Sequence, residues 1–284
     1  AVSLPLGDEN EFAQFGYMRQ AYNPLDDSQF WGNVPFFRVQ KKWDDSRMMT
    51  YAQVNLEQYA SGRGFSTRPT FDVGEWYDHN DVLRTRCGLF LENVAENGES
   101  VRQDIYRYGF YTGADFRMTR TWNFGGTFTY SHYSDNNDAY QGYLYNETSL
   151  TLPPKQLKIV ETANVWSYRD QTRFPTPIPD PNNLRGTVHP YFAPDCYANG
   201  ELRIEWWHWL SRDYFVHSNQ CWYSLQYGIA TDSNLVTYHD LRAIFNYDVN
   251  SCLSVGAEAS AFLGGDTYTQ YQAMAFLQVR FLGK

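Results

Sequence analysis

The residues near the C-terminus constrain the fold most. From Tyr268 to Leu282, Thr269, Tyr271, Ala273, Ala275, Leu277, Val279 and Phe281 alternate with Tyr268, Gln270, Gln272, Met274, Phe276, Gln278 and Arg280. One set is almost wholly apolar and the other is mostly polar. A period of two marks a strand whose two faces meet different environments. About fifteen residues is long for a soluble strand, where roughly 5–6 is usual. A tilted strand crossing a bilayer needs about 9–11.

The pattern recurs upstream. Leu253, Val255, Ala257, Ala259, Ala261 and Leu263 oppose Ser254, Gly256, Glu258 and Ser260. Leu241, Ala243, Phe245 and Tyr247 oppose Asp240, Arg242 and Asn246, within 236–248. Cys221, Tyr223, Leu225, Tyr227 and Ile229 oppose Ser218, Gln220, Ser224 and Gln226, within 214–229. Leu202, Ile204 and Trp206 oppose Glu201, Arg203 and Glu205. Leu83, Cys87, Leu89 and Leu91 oppose Arg84, Arg86 and Glu92. Thr50, Ala52, Val54 and Leu56 oppose Tyr51, Gln53, Asn55 and Glu57. Weaker segments at 12–23, 34–43, 70–77, 101–117, 122–133, 139–152 and 156–168 bring the count to about fourteen.

The connections sharpen this reading. Counted back from the C-terminus, the short ones fall at 248–251, 211–213, 153–155, 118–120, 78–81 and 44–47. The others fall at 264–267, 231–235, 169–195, 134–138, 95–100, 60–69 and 24–33, and they include every long one. Outer-membrane barrels have short periplasmic turns and longer outer loops. The sequence therefore predicts one domain over 1–284. It is a transmembrane, antiparallel, up-and-down β-barrel with both termini periplasmic, a periplasmic lead-in at 1–11 and a long outer loop at 169–195. The competing fold is a soluble β-sandwich or soluble barrel with its apolar faces inward. Small residues on the apolar faces and charges of both signs mid-strand on the polar faces favour lipid outside and water inside.

Composition narrows the function. Tyr, Phe and Trp make up 18% of the chain, as suits aromatic girdles at membrane interfaces. Trp43, Trp76, Trp122, Trp206, Trp209, Tyr247 and Phe281 lie near expected strand ends. No run approaches the roughly 18 apolar residues of a membrane helix. A net charge of −9 argues against a nucleic-acid partner. Cys87, Cys196, Cys221 and Cys252 have no metal-ligand spacing and no expected cross-strand pairing, so four free thiols and no metal are expected. His208, Ser211 and Asp213 can be drawn as a triad, but His208 shares the apolar face with Leu202, Ile204 and Trp206. Gly-Gly at 125–126 and 264–265 suits bends or turns better than a phosphate cradle. No enzyme and no cofactor are expected.

What remains is a lumen. Its expected lining and substrate path comprise Tyr51, Glu57, Asp72, Arg84, Arg86, Arg107, Glu147 and Glu201. Arg203, Glu205, Trp207, Trp222, Asp240, Arg242, Glu258 and Arg280 complete it, with Arg38 on the same faces. Mixed charges tune pore selectivity. Aromatic rings with carboxylates also suit sugars, which stack through their CH faces and hydrogen-bond through their hydroxyls.

Two segments carry a family resemblance. One is Tyr111-Thr-Gly-Ala-Asp-Phe-Arg followed by Trp122-Asn-Phe-Gly-Gly-Thr-Phe-Thr-Tyr-Ser-His-Tyr-Ser-Asp-Asn-Asn-Asp138. The other is His189-Pro-Tyr-Phe-Ala-Pro-Asp-Cys-Tyr197. They resemble the C-terminal barrels of exopolysaccharide export proteins, the cellulose and poly-N-acetylglucosamine secretion porins. Those barrels have sixteen strands, the alternative to the fourteen counted here. The resemblance implies a bacterial outer-membrane protein that passively conducts a nascent polysaccharide, with a periplasmic tetratricopeptide scaffold as partner. A general or solute-selective diffusion porin, acting on small hydrophilic solutes as a homo-oligomer, is the alternative. A structural or adhesive barrel with a plugged lumen is the third. In each case the surrounding partner is outer-membrane lipid.

Overall fold

The computed structural model describes residues 2–5, 12–24, 30–43, 47–61, 64–95, 98–170, 191, 193–211, 220–250, 253–264 and 268–279. The strands are β1 (Val2–Pro5), β2 (Phe12–Pro24), β3 (Phe30–Lys42), β4 (Met48–Ser61), β5 (Gly64–Asp78) and β6 (Leu83–Asn93). A one-turn helix, α1 (Gly98–Arg102), precedes β7 (Tyr106–Arg117), β8 (Trp122–Tyr133), β9 (Asp138–Ser149) and β10 (Lys155–Tyr168). The chain continues with β11 (Tyr197–Trp209), β12 (Cys221–Asp232), β13 (Thr237–Asn250), β14 (Leu253–Leu263) and β15 (Tyr268–Val279).

Strands β2 to β15 pair antiparallel with their sequence neighbours, and β15 closes the ring by pairing Tyr268–Ala273 with Pro24–Arg19 of β2. This is the expected fourteen-strand, up-and-down barrel. Closure matters because hydrocarbon offers backbone amides no partner, so only helices and edge-free barrels can span it. The lead-in contributes a strand of its own. β1 pairs with Phe12–Phe15 of β2 and lies against β15, so it occupies the seam where the β2–β15 ladder has ended.

The alternating faces settle which side is wet. Outward positions leave large apolar side chains exposed, among them Val54 and Leu56 on β4, Phe71 and Val73 on β5, and Leu225, Tyr227 and Ile229 on β12. Inward side chains reach each other across intervening strands: Tyr51 on β4 bonds Tyr111 on β7, and Arg86 on β6 bonds Thr127 on β8. Only the concave side of a barrel permits such contacts. An apolar outside and a polar inside are stable when lipid surrounds the barrel.

Several expected boundaries move. The outer loop placed at 60–69 is mostly strand, because β4 runs to Ser61 and β5 starts at Gly64. Outer-end residues such as Ser66 and Arg68 continue the inward pattern, but Gly64, Thr67 and Pro69 mask it in sequence. The described part of β12 begins at Cys221, and residues 212–219, on which most of the expected turn at 211–213 and the expected strand start at 214 fall, lie outside the described ones. The last strand ends at Val279, so the expected residues 280–282 lie outside the described ones. Gly125 and Gly126 sit inside β8 rather than at a bend. Cys87, Cys196 and Cys221 are free thiols, and Cys252 lies outside the described residues.

At the outer end, Val94, Ile105, Tyr133, Ala139, Tyr168, Tyr191 and Ala193 form a packed cluster. Tyr191 and Ala193 belong to the expected long loop 169–195. That part of it therefore folds inward against the rims of β6 to β10.

Candidate functional site

Strand parity turns the polar set inward, and cross-strand neighbours then order it into clusters. The first lies on β4, β5 and β7. The Tyr51 hydroxyl donates to Asp72 Oδ1 at 2.8 Å and contacts the Tyr111 hydroxyl. The Tyr51 ring stacks on Trp76, with centroids 4.8 Å apart and planes at 25°. The Arg38 guanidinium also lies over the Tyr51 ring, 5.1 Å from the centroid. Glycine makes this possible: a Cβ on Gly74 or Gly88 would collide with the Tyr111 hydroxyl. The two glycines pair across β5 and β6 and let Tyr111 lie flat over the wall to reach Tyr51.

Above it, Glu57 accepts from Thr70 Oγ1 at 2.8 Å, and Arg107 pairs with Glu92 and donates to the Tyr133 hydroxyl at 3.1 Å. Below, Arg84 bridges to Asp78 through two nitrogens. Arg86 donates to Thr127 at 2.6 Å and lies 3.5 Å from Asp115, whose carboxylate also accepts from Tyr145.

A second cluster occupies β9 to β14. Lys158 Nζ lies 3.1 Å from Glu147 Oε1 and 5.7 Å from the Trp207 ring. Arg203 bridges Glu201 at 3.3 Å and Glu205 at 3.0 Å. The Trp207 indole donates to Glu205 Oε2 at 3.0 Å, and its ring lies 5.2 Å from Trp222 and 6.1 Å from Trp209. Asp240 and Arg203 flank Gly228 in the ladder, and Arg242 bonds Glu258 at 2.8 Å.

Fifteen of the sixteen expected lining residues thus sit on the inner face, and Arg280 lies outside the described residues. The expectation that Trp76 and Trp209 join an interfacial girdle fails, because both rings stack on inward neighbours. Trp43 and Trp122 are exposed near strand ends, as a girdle requires, and Trp206 and Tyr247 share the outward parity. Phe281 lies outside the described residues. Sequence reasoning missed Tyr111, Asp115, Tyr145 and Lys158. Parity with Arg107 points Tyr111 and Asp115 inward, and parity with Glu147 does the same for Tyr145. Lys158 sits in a strand whose inner face also carries Val160, which blurs the alternation. Among the described residues no group of His, Cys, Asp and Glu is placed to hold a metal ion.

The two aromatic–carboxylate clusters face each other. Tyr51 and Trp76 stand on β4 and β5, Trp207 and Trp222 on β11 and β12, so they are half the ring of strands apart. All four lie within about three residues of the end that carries the short turns, the periplasmic end in barrels of this kind.

The fold has a close counterpart among solved structures. One described as a "Bacterial polysaccharide outer membrane secretin" superposes with a TM-score of 0.62 at 13% identity, covering 95% of this chain and 99% of the other. This chain has the fold of a bacterial outer-membrane barrel. An outer-membrane channel from Pseudomonas putida F1 and a NanC porin also align over most of both chains, at TM-scores of 0.45 and 0.42 and 10% identity each. No protein-family model and no curated protein matches the sequence.

Proposed function

We propose that this barrel is a passive outer-membrane conduit for a polysaccharide leaving the cell. The observation that carries the reading is the pair of facing aromatic–carboxylate platforms at the periplasmic end. A glycan chain arriving from the periplasm meets Tyr51 and Trp76 with Asp72 on one wall, and Trp207 and Trp222 with Glu205 on the other. Rings offer flat apolar surface to sugar CH faces, and carboxylates accept from sugar hydroxyls. Tyr51 and Trp207 already spend their donors on Asp72 and Glu205, which holds those two rings in fixed orientations. The named likeness to a polysaccharide secretin supports the same cargo. On this reading the remaining inward residues are the path wall, and a periplasmic scaffold delivers the chain.

A solute-selective diffusion porin is the second reading. It is favoured by the paired charges that line the wall, Arg84 with Asp78, Arg203 with Glu201 and Glu205, and Arg242 with Glu258. Proteoliposomes loaded with fluorescent oligosaccharides of graded length separate the two. A polysaccharide conduit releases chains of many sugars, and a double Tyr51→Ala, Trp207→Ala variant slows the long chains more than the short ones. Release restricted to mono- and disaccharides supports the porin, and no release above protein-free vesicles defeats both.

A further inference from the structure

The outward face carries one feature that a uniform lipid belt does not explain. Arg19 on β2 has the same parity as Phe15 and Tyr17, both exposed, so its charge faces lipid. Its ladder partners lead away in a single row: Arg19 pairs with Ala273, Ala273 with Ala259, and Ala259 with Ala243. Three short side chains side by side leave a depression beside the taller Tyr271 and Tyr227 of the neighbouring row. It forms a groove of about 1060 Å³ that runs from Arg19 to Trp206. Neighbouring strands lie roughly 4.8 Å apart, so the alanine row alone spans the length of a stretched alkyl segment.

Arg19 has no carboxylate partner among the described residues. Its guanidinium lies over the Trp31 ring at 5.8 Å. Trp31 is the second residue of β3, at the outer end of the barrel, whereas Arg19 itself pairs with Asn33 two positions deeper. The side chain therefore reaches outward towards the headgroup level, as a cationic side chain in a bilayer does. A cation at the outer rim of an apolar groove calls for a molecule with an anion at one end and a hydrocarbon chain at the other.

We infer that this groove is a specific binding site for an acylated, phosphorylated lipid of the outer leaflet. Its phosphate pairs with Arg19 beside Trp31, and one acyl chain lies over Ala273, Ala259 and Ala243. Charge complementarity selects this occupant over a second copy of the chain, whose own Arg19 would meet this one across a two-fold interface.

Native mass spectrometry of the full chain in a non-ionic detergent, titrated with lipid A, tests the assignment. One lipid A should stay bound to the wild type at activation energies that strip the rest. Arg19→Gln should weaken that binding about tenfold and Arg19→Lys less. Ala259→Leu, which fills the floor without touching the charge, should weaken it as much as Arg19→Gln. Heat-modifiable gel migration identifies variants that remain folded, and millimolar inorganic phosphate should not compete. Equal retention by wild type, Arg19→Gln and Ala259→Leu overturns the proposal. So does competition by inorganic phosphate, which would leave a bare anion site. A wild-type dimer that lipid A does not displace and that Ala259→Leu abolishes also overturns it, and assigns the groove to a second copy.

Discussion

Replacing Tyr191 by Ala should release the inward-folded end of the outer loop by a calculable amount. Tyr191 is fully buried. Its ring stacks on Tyr133 at 4.5 Å and 19°, and its hydroxyl donates to Asp135 Oδ1 at 2.9 Å. Truncating a buried aromatic ring costs about 3–5 kcal/mol. The docked state is reported by the backbone bond from the Tyr168 amide to the Pro194 carbonyl, 3.2 Å long. At about 1.4 kcal/mol per decade, that loss raises the undocked fraction between about a hundredfold and a few thousandfold. Hydrogen exchange followed by mass spectrometry reads it directly: the Tyr168 amide should exchange faster by that factor, while mid-strand amides of β12 stay unchanged. Tyr191→Phe keeps the stack and loses one hydrogen bond, about 1 kcal/mol or roughly fivefold. Burial, with the Asp135 carboxylate beside it, pushes the Tyr191 phenol above its ordinary value of 10.0. Docking is therefore at full strength below pH 10 and weakens as the pH rises beyond it, because the undocked phenol ionises first. An acceleration below tenfold in Tyr191→Ala would refute the claim that this ring anchors the loop.

Five other substitutions probe the wall. Arg203→Ala leaves Glu201 and Glu205 without their shared cation, so the reversal potential in a salt gradient should shift towards cation selectivity; no shift would mean that this wall does not face the permeating ions. Gly88→Val places a side chain against the Tyr111 hydroxyl and should cost about 1–3 kcal/mol, lowering the temperature at which the folded band is lost on a gel, whereas Gly142→Ala, in open space, should cost under about 1 kcal/mol. Leu202→Arg puts a charge into lipid and should reduce folding stability by about 2–4 kcal/mol, while Gln226→Arg on the inner face should be tolerated better; equal effects in a vesicle-refolding titration would contradict the assignment of faces.

The barrel was legible because alternation survives wherever one face meets lipid. Leu253 to Leu263 shows it without interruption, and so the strand count and the closing direction follow from sequence. Boundaries were less legible at the outer end. There Thr67 and Pro69 break the apolar rhythm although their strand continues, because above the lipid the outer face no longer has to be apolar. The charged lining was readable by parity, but its grouping was not. That Tyr51 meets Tyr111 depends on Gly74 and Gly88 being level with each other, a matter of register between strands that no single segment encodes. The inward turn of Tyr191 was hidden for the same reason: its partners Tyr133 and Tyr168 are brought to it only when β8 and β10 stand on either side of β9.

Single-channel recording in planar bilayers tests the central claim, a lumen that passes a glycan chain, most directly. The purified protein should give discrete, long-lived conductance steps. An oligosaccharide added on the side of the short turns should interrupt them, with dwell times that lengthen as the oligosaccharide grows and shorten in the Tyr51→Ala, Trp207→Ala variant. Folded protein that inserts and carries no current, or current indifferent to oligosaccharides of every length, would contradict the account.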